Sequence, residues 1–127
     1  LAALKSELNG SLPGCEIIVS PGDMAGLMQW ADVAVSAAGS TCWELAYMGI
    51  PPAVVVLADN QEIIADGLEK MNAAVNLGRI EALTAAKFRN GFLPIIESNA
   101  KRMELVRNQQ KLIDGLGADR VISRMNK

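Results

Sequence analysis

The sequence contains no histidine. That one absence removes the commonest general base, the commonest nitrogen ligand for metals and every Ser-His-Asp triad from what the chain can do by itself. Any such group has to come from another domain or another chain. Positive charge is not in excess either, with 12 Lys and Arg against 14 Asp and Glu and a formal charge of -2. Binding a phosphate backbone needs a basic footprint, so no nucleic acid is expected as a partner. Only two cysteines occur, Cys15 and Cys42, too few for a disulfide framework. A reducing, cytoplasmic setting is therefore expected. No stretch approaches the roughly 18 apolar residues of a membrane span, and the densest run, Ala53 to Ala58, has the length of a strand. No leader pattern is present and the first residue is Leu1 rather than Met, which reads as a piece of something longer.

What is present is ample apolar content, 50% of 127 residues, enough for the packed core of one domain. Short apolar runs alternate with helical patterns along the chain. Leu1, Leu4 and Leu8 recur at helical spacing before Asn9-Gly10, a C-cap signal. Glu16–Ser20 reads as a short buried strand. Asp23 then N-caps a helix carrying Met24, Leu27, Met28 and Trp30. Asp32–Ser36 is a second strand, and Thr41–Met48 a helix stopped by Gly49, Pro51 and Pro52. Strands over Ala53–Leu57 and Ala73–Leu77 flank a helix opened by Asp59 and Asn60 and running to about Met71. Beyond Gly78 the pattern is helical throughout, with a long amphipathic stretch from Leu93 to Leu112 and a last helix over Ala118–Met125. Strands that are apolar along nearly their whole length and separated by helices imply a doubly wound α/β fold with a parallel sheet.

In such a sheet, ligands bind beyond the carboxyl ends of the strands. Three loops fall there: Ser20–Asp23, Ser36–Thr41 and Ala58–Gln61. The middle loop, Ser36-Ala37-Ala38-Gly39-Ser40-Thr41, has no bulky side chain and runs into a helix, whose free N–H groups attract anions. It is neither the dinucleotide fingerprint nor a P-loop, so a phosphate site and a plain tight turn both remain open. Thr41-Cys42-Trp43-Glu44 matches a capping box, in which Glu44 bonds back to Thr41. The other role for Glu44 is to accept hydrogen bonds from two ribose hydroxyls. Asn60 and Gln61 face the same choice between capping and sugar binding. Trp30, Trp43, Tyr47 and the methionines are read as core, Cys42 as a buried thiol. Glu97, Glu104 and Asp114, with Lys101, Arg102, Arg107 and Lys111, read as a solvated helix face.

Asp32–Ala46 followed by Met48-Gly49-Ile50-Pro51 closely resembles the carboxyl-terminal domain of GT-B fold nucleotide-sugar enzymes. Asp23-Met24 agrees with that resemblance, and Asn60-Gln61 with the segment Asp114–Arg120 makes the UDP-sugar hydrolase of pseudaminic acid biosynthesis the best match, with its relatives among spore-coat polysaccharide biosynthesis proteins. The similarity runs from about Leu4 to Val121. It implies a Rossmann-like, truncated carboxyl-terminal half of a GT-B fold, with residues 1–127 forming a partial UDP-binding domain. That domain would lack its first strands and its amino-terminal partner domain. The resemblance also implies a UDP-sugar substrate. Gly39, Ser40 and Thr41 would hold the diphosphate, Glu44 the ribose, Gly22, Asp23 and Met24 the uracil, and Asn60 and Gln61 the sugar. No metal or other cofactor is implied, because backbone dipoles neutralise the pyrophosphate. The reaction implied is inverting hydrolysis of a UDP-linked trideoxy-diacetamido sugar. Its presumed catalytic histidine would lie on the amino-terminal domain, so no catalytic residue is expected here and the isolated chain is expected to be inactive. A glycosyltransferase such as the one adding N-acetylglucosamine in lipid II synthesis shares the UDP loop, and a non-catalytic nucleotide-binding module is the further alternative. Without the intervening strands, Glu16–Ser20 and Asp32–Ser36 must either re-pair or leave edges that invite a dimer.

Overall fold

The computed structural model describes residues 1–127, whose order is α1 (Ala2–Ser11), α2 (Met24–Trp30), β1 (Ala34–Ala37), α3 (Thr41–Met48), β2 (Pro52–Val56), α4 (Glu62–Lys70), β3 (Val75–Arg79), α5 (Ala85–Glu97), α6 (Asn99–Gln110) and α7 (Gly117–Met125). The three strands form one parallel sheet in the order β1-β2-β3. The central strand is buried along its whole length, as a strand covered on both faces must be. Alternate residues of β2 serve opposite faces: Val54 and Val56 pack with Cys42, Ala65 and Leu68 of α3 and α4, Ala53 and Val55 with Ile95 and Leu105 of α5 and α6. Helices therefore cover both faces of a parallel sheet, as the Rossmann-like reading requires.

Local signals explain the best-placed elements. Asp23 accepts a hydrogen bond from the Gly26 N–H at 2.8 Å and so caps α2. α3 ends at Gly49, whose φ of 74° takes the left-handed conformation that closes a helix. Thr84 and Ser98 cap α5 and α6. Ser98 is also why the amphipathic stretch from Leu93 to Leu112 is two helices and not one. It ends α5 four residues after Pro94 and starts α6, while Arg102 donates to the carbonyls of Ile95 and Ile96. Near the first residue, α1 runs past Asn9-Gly10 to Ser11, so the C-cap expected there does not form.

One strand expected from the sequence is missing. Glu16–Ser20 has no strand partner, and Ile18 and Val19 are 47% and 58% exposed. The apolar run is present, but a strand exists only through hydrogen bonds to a neighbour, and no neighbour lies beside it. The gap is not closed by re-pairing, because β1 pairs with β2 alone and its outer edge is open. The expected core aromatics also face outward, with Trp30 at 84%, Trp43 at 40% and Tyr47 at 64% exposure. Helical spacing puts a residue on one face without saying whether anything covers that face. The chain exposes 8658 Å², against about 6,500 Å² for a compact chain of this mass. The difference reflects ends that add surface without adding core: no residue before Met28 or after Gln109 is buried. No helix is long and apolar enough to cross a membrane.

Candidate functional site

At the carboxyl end of β1 the chain turns sharply and is pinned from beneath. Ala38 and Cys42 are buried, and the Ala38 N–H donates to the Val55 carbonyl of β2 at 2.9 Å. The Ala37 carbonyl accepts from the Gly39 N–H at 2.8 Å, from Ser36 Oγ at 3.0 Å and from Cys42 Sγ at 3.5 Å. Burial raises the pKa of the Cys42 thiol, so it stays a neutral packing group under the loop. What remains above is Gly39, Ser40 and Thr41, with Ser40 and Thr41 exposed. Ser40 is the N-cap of α3 and its hydroxyl caps nothing. The Ser40 N–H finds no acceptor in the chain, and Thr41 opens the helix, where N–H groups have no partner of their own. The loop therefore presents bare donors at the positive end of a helix dipole, an arrangement suited to an anion.

Glu44 does not close a capping box. With Ser40 as N-cap and Thr41 already helical, Glu44 is one position too far along, and its carboxylate takes part in no hydrogen bond or ion pair within the chain. It lines a groove of about 560 Å³ with Ala25 and Met28 of α2, Tyr47, Ile113 and Gly115. Met24 lines a smaller cavity of about 210 Å³ with Leu27, Val35, Ser36 and Thr41. Asp23 is occupied as the α2 cap, and Gly22 stands in open space. At the end of β2, Asp59–Gln61 form a single 3-10 turn before α4. The Gln61 side-chain oxygen accepts from the Leu57 N–H at 2.9 Å, while its amide nitrogen faces the loop, 3.7 Å from where a Cβ on Gly39 would stand. Asn60 is exposed and caps nothing. Gly39, Ser40, Thr41 and Gln61 thus come together, and Met24 reaches them through Thr41. Glu44 stands one turn behind them on the α2 side, and Gly22 stays apart.

The largest groove, about 600 Å³, lies elsewhere, between α3 and α4. It is lined by Trp43, Ile63, Leu68 and Met71 with almost no polar surface, so it offers nothing to orient a polar ligand. No group of three or more His, Cys, Asp and Glu is placed to hold a metal ion. Sequence reasoning passed over Arg79, which the end of β3 brings to the same sheet edge as Asn60 and Gln61, among three carboxylates. The readable signal was Asn76-Leu77-Gly78-Arg79 closing a strand, a pattern suited to a bulge. Asp114, expected on a solvated helix face, lies instead in the turn before α7. There it accepts from the Leu116 N–H at 3.0 Å and forms an ion pair with Arg120. Arg120 holds the Asp114 carboxyl below its ordinary pKa.

Residues 16–121 match the model of the glycosyltransferase family 28 C-terminal domain. The chain belongs to that family. The family match spans the Gly39–Thr41 loop, Glu44, the Asp59–Gln61 turn and the Asp114–Arg120 pair together. It is also similar to the spore coat polysaccharide biosynthesis protein SpsG of Bacillus subtilis (strain 168), with 31% identity over 109 residues. That similarity covers 86% of this chain and 32% of SpsG, so the chain spans about a third of that relative's length. No solved structure matches the family 28 chain significantly.

Proposed function

We propose that this glycosyltransferase family 28 domain binds the UDP moiety of a nucleotide sugar and serves polysaccharide biosynthesis as part of a longer protein. The reading is carried by the Gly39–Thr41 loop, in which the Ser40 and Thr41 N–H groups opening α3 are unpaired beside a Glu44 carboxylate with no partner in the chain. Backbone donors fixed before the ligand arrives can stabilise the charge that builds on a departing diphosphate. In the reaction we assign, a water oxygen bonds to the anomeric carbon as the bond from that carbon to the UDP oxygen breaks. The configuration inverts, UDP leaves with the bonding electrons, and the water proton goes to a base on another domain. A UDP-linked trideoxy-diacetamido sugar is the proposed substrate, on the resemblance carried by Asn60-Gln61 and Asp114–Arg120. A glycosyltransferase differs only in using an acceptor hydroxyl in place of water, and the family match favours it equally. We also take the open edge of β1 and the exposed faces of α1 and α7 as surfaces covered by further polypeptide. Pairing of two such edges in a dimer is the alternative, which light scattering of the purified chain distinguishes.

A titration with UDP, followed by backbone amide shifts, tests the assignment. Shifts should centre on Gly39–Glu44, and Glu44→Ala should weaken binding roughly ten- to hundredfold, the size expected for one charge-assisted hydrogen bond. Because Glu44 bonds to nothing in the chain, the same substitution should leave the melting curve nearly unchanged. UDP bound with equal affinity by Glu44→Ala would overturn the ribose role. Shifts centred outside the loop would overturn the site.

A further inference from the structure

The register of the sheet changes once, and the change has a consequence at the ligand edge. Ala53 pairs with Val75 and Val54 with Asn76, but Val56 pairs with Arg79. Two steps along β2 thus correspond to three along β3, so one extra residue is inserted as a β-bulge. Asn76 and Gly78 build it: the Asn76 side-chain oxygen accepts from the Gly78 N–H at 2.9 Å, and Gly78 sits at φ 80°, where a side chain would be strained. In unbroken register Gly78, with no side chain, would lie opposite Val56. The bulge puts Arg79 there, and bulges commonly re-aim a side chain beside a functional site.

From that place the Arg79 guanidinium reaches both ends of the turn that follows β2. It contacts Asp59 at 2.9 Å and Glu62 at 2.6 Å, with Glu81 at 3.5 Å on its own side. Asp59 and Glu62 bracket Asn60 and Gln61. One planar cation therefore spans the turn, a geometry that a guanidinium supports and an ammonium does not. Gln61 in turn holds the Leu57 N–H with its oxygen and faces Gly39 with its nitrogen. Isolated surface pairs contribute little to stability, so the three-carboxylate arrangement is poorly explained by folding alone.

We propose that Arg79, re-aimed by the bulge, is a positioning residue that staples the Asp59–Glu62 turn and holds the Gln61 amide against the Gly39 loop. The proposal deepens the UDP-sugar reading and rests on it only for the ligand. The staple itself is open to a ligand-free measurement. Amide hydrogen exchange on the 127-residue chain reports the Leu57 N–H directly. In Arg79→Gln that amide should exchange about three- to tenfold faster, as expected when the three exposed pairs of a network are lost. Arg79→Lys should recover only part of the protection, and Asp59→Asn with Glu62→Gln should reproduce the loss from the other side. Arg107→Gln, an exposed arginine of α6, should change nothing. With ligand, Arg79→Gln should weaken UDP-N-acetylglucosamine several-fold while leaving UDP within about twofold. Unchanged Leu57 exchange in Arg79→Gln and in the double variant overturns the staple. Faster exchange with both ligands bound as in the wild type overturns its role in positioning. If the wild-type chain binds neither ligand, the UDP-sugar reading fails, and the exchange result alone decides whether the staple stands.

Discussion

Gly39→Ala separates what a glycine does for the fold from what it does for a ligand. The Gly39 backbone is not in the left-handed region, and the nearest heavy atom to an added Cβ is Gln61 Nε2 at 3.7 Å, an ordinary contact. Nothing in the folded chain therefore opposes a methyl group. By narrowing the unfolded ensemble, alanine should stabilise the protein by about 0.4–1 kcal/mol. At about 2.1 cal/mol/K per residue over 127 residues, that raises the melting temperature by roughly 1.5–4 °C. On the proposed diphosphate site, the same methyl would crowd a phosphate held by the Ser40 and Thr41 N–H groups. Losing one charge-assisted hydrogen bond costs about 1.5–3 kcal/mol, a roughly ten- to hundredfold weaker affinity for UDP. Thermal melting by circular dichroism and calorimetric titration of UDP read the two effects separately. A melting temperature lowered by several degrees would show that Gly39 is required by the fold. Wild-type UDP affinity in the substituted protein would refute the claim that the backbone is left bare for a phosphate.

Other substitutions probe the core and the thiols. Leu105→Ala empties a fully buried position between α6 and the sheet and should cost about 2–5 kcal/mol in urea unfolding, a large share of the total for a domain of this size. Two helical glycines should behave oppositely. Gly67→Ala meets open space and should gain about 0.5–1 kcal/mol of helix propensity. Gly91→Ala, whose Cβ would stand 2.6 Å from Leu77 Cδ2, should lose about 1–2 kcal/mol net. With a chromogenic disulfide reagent at pH 8, exposed Cys15 should react at once and buried Cys42 at least about a hundredfold more slowly. Burial raises the Cys42 pKa above its ordinary value. Its contribution to stability is therefore complete below the ordinary thiol pKa and is lost as pH rises through the raised one. Cys42→Ala should flatten the fall in stability on the alkaline side.

How far each feature could be read from residues alone depended on how local its cause is. The end of α3 was legible to the residue because Gly49 and the two prolines stop the helix within the chain itself. The small-residue loop after β1 was legible for the same reason, whereas which of its N–H groups stay unpaired was not: those of Ala38 and Gly39 find acceptors in the fold. The Glu44 capping box failed by one position, since the match of Thr41 to Glu44 does not say which residue takes the N-cap, and that residue is Ser40. Glu16–Ser20 failed because its apolar run needs a partner strand. Trp30, Trp43 and Tyr47 were misread because their burial depends on what lies opposite, and the sequence does not contain that information.

The residue pattern by itself determined a parallel α/β sheet, the absence of any histidine chemistry in this chain, and a small-residue loop running into a helix with a carboxylate one turn behind it. Those are consequences of periodicity, composition and short-range capping. The tertiary structure alone decided which strands pair, that β1 keeps an open edge, and that a one-residue bulge carries Arg79 opposite Val56. The reason is physical: hydrogen-bond register and ion pairing join residues distant in the chain, such as Arg79 with Asp59, and no local preference of either residue encodes their meeting.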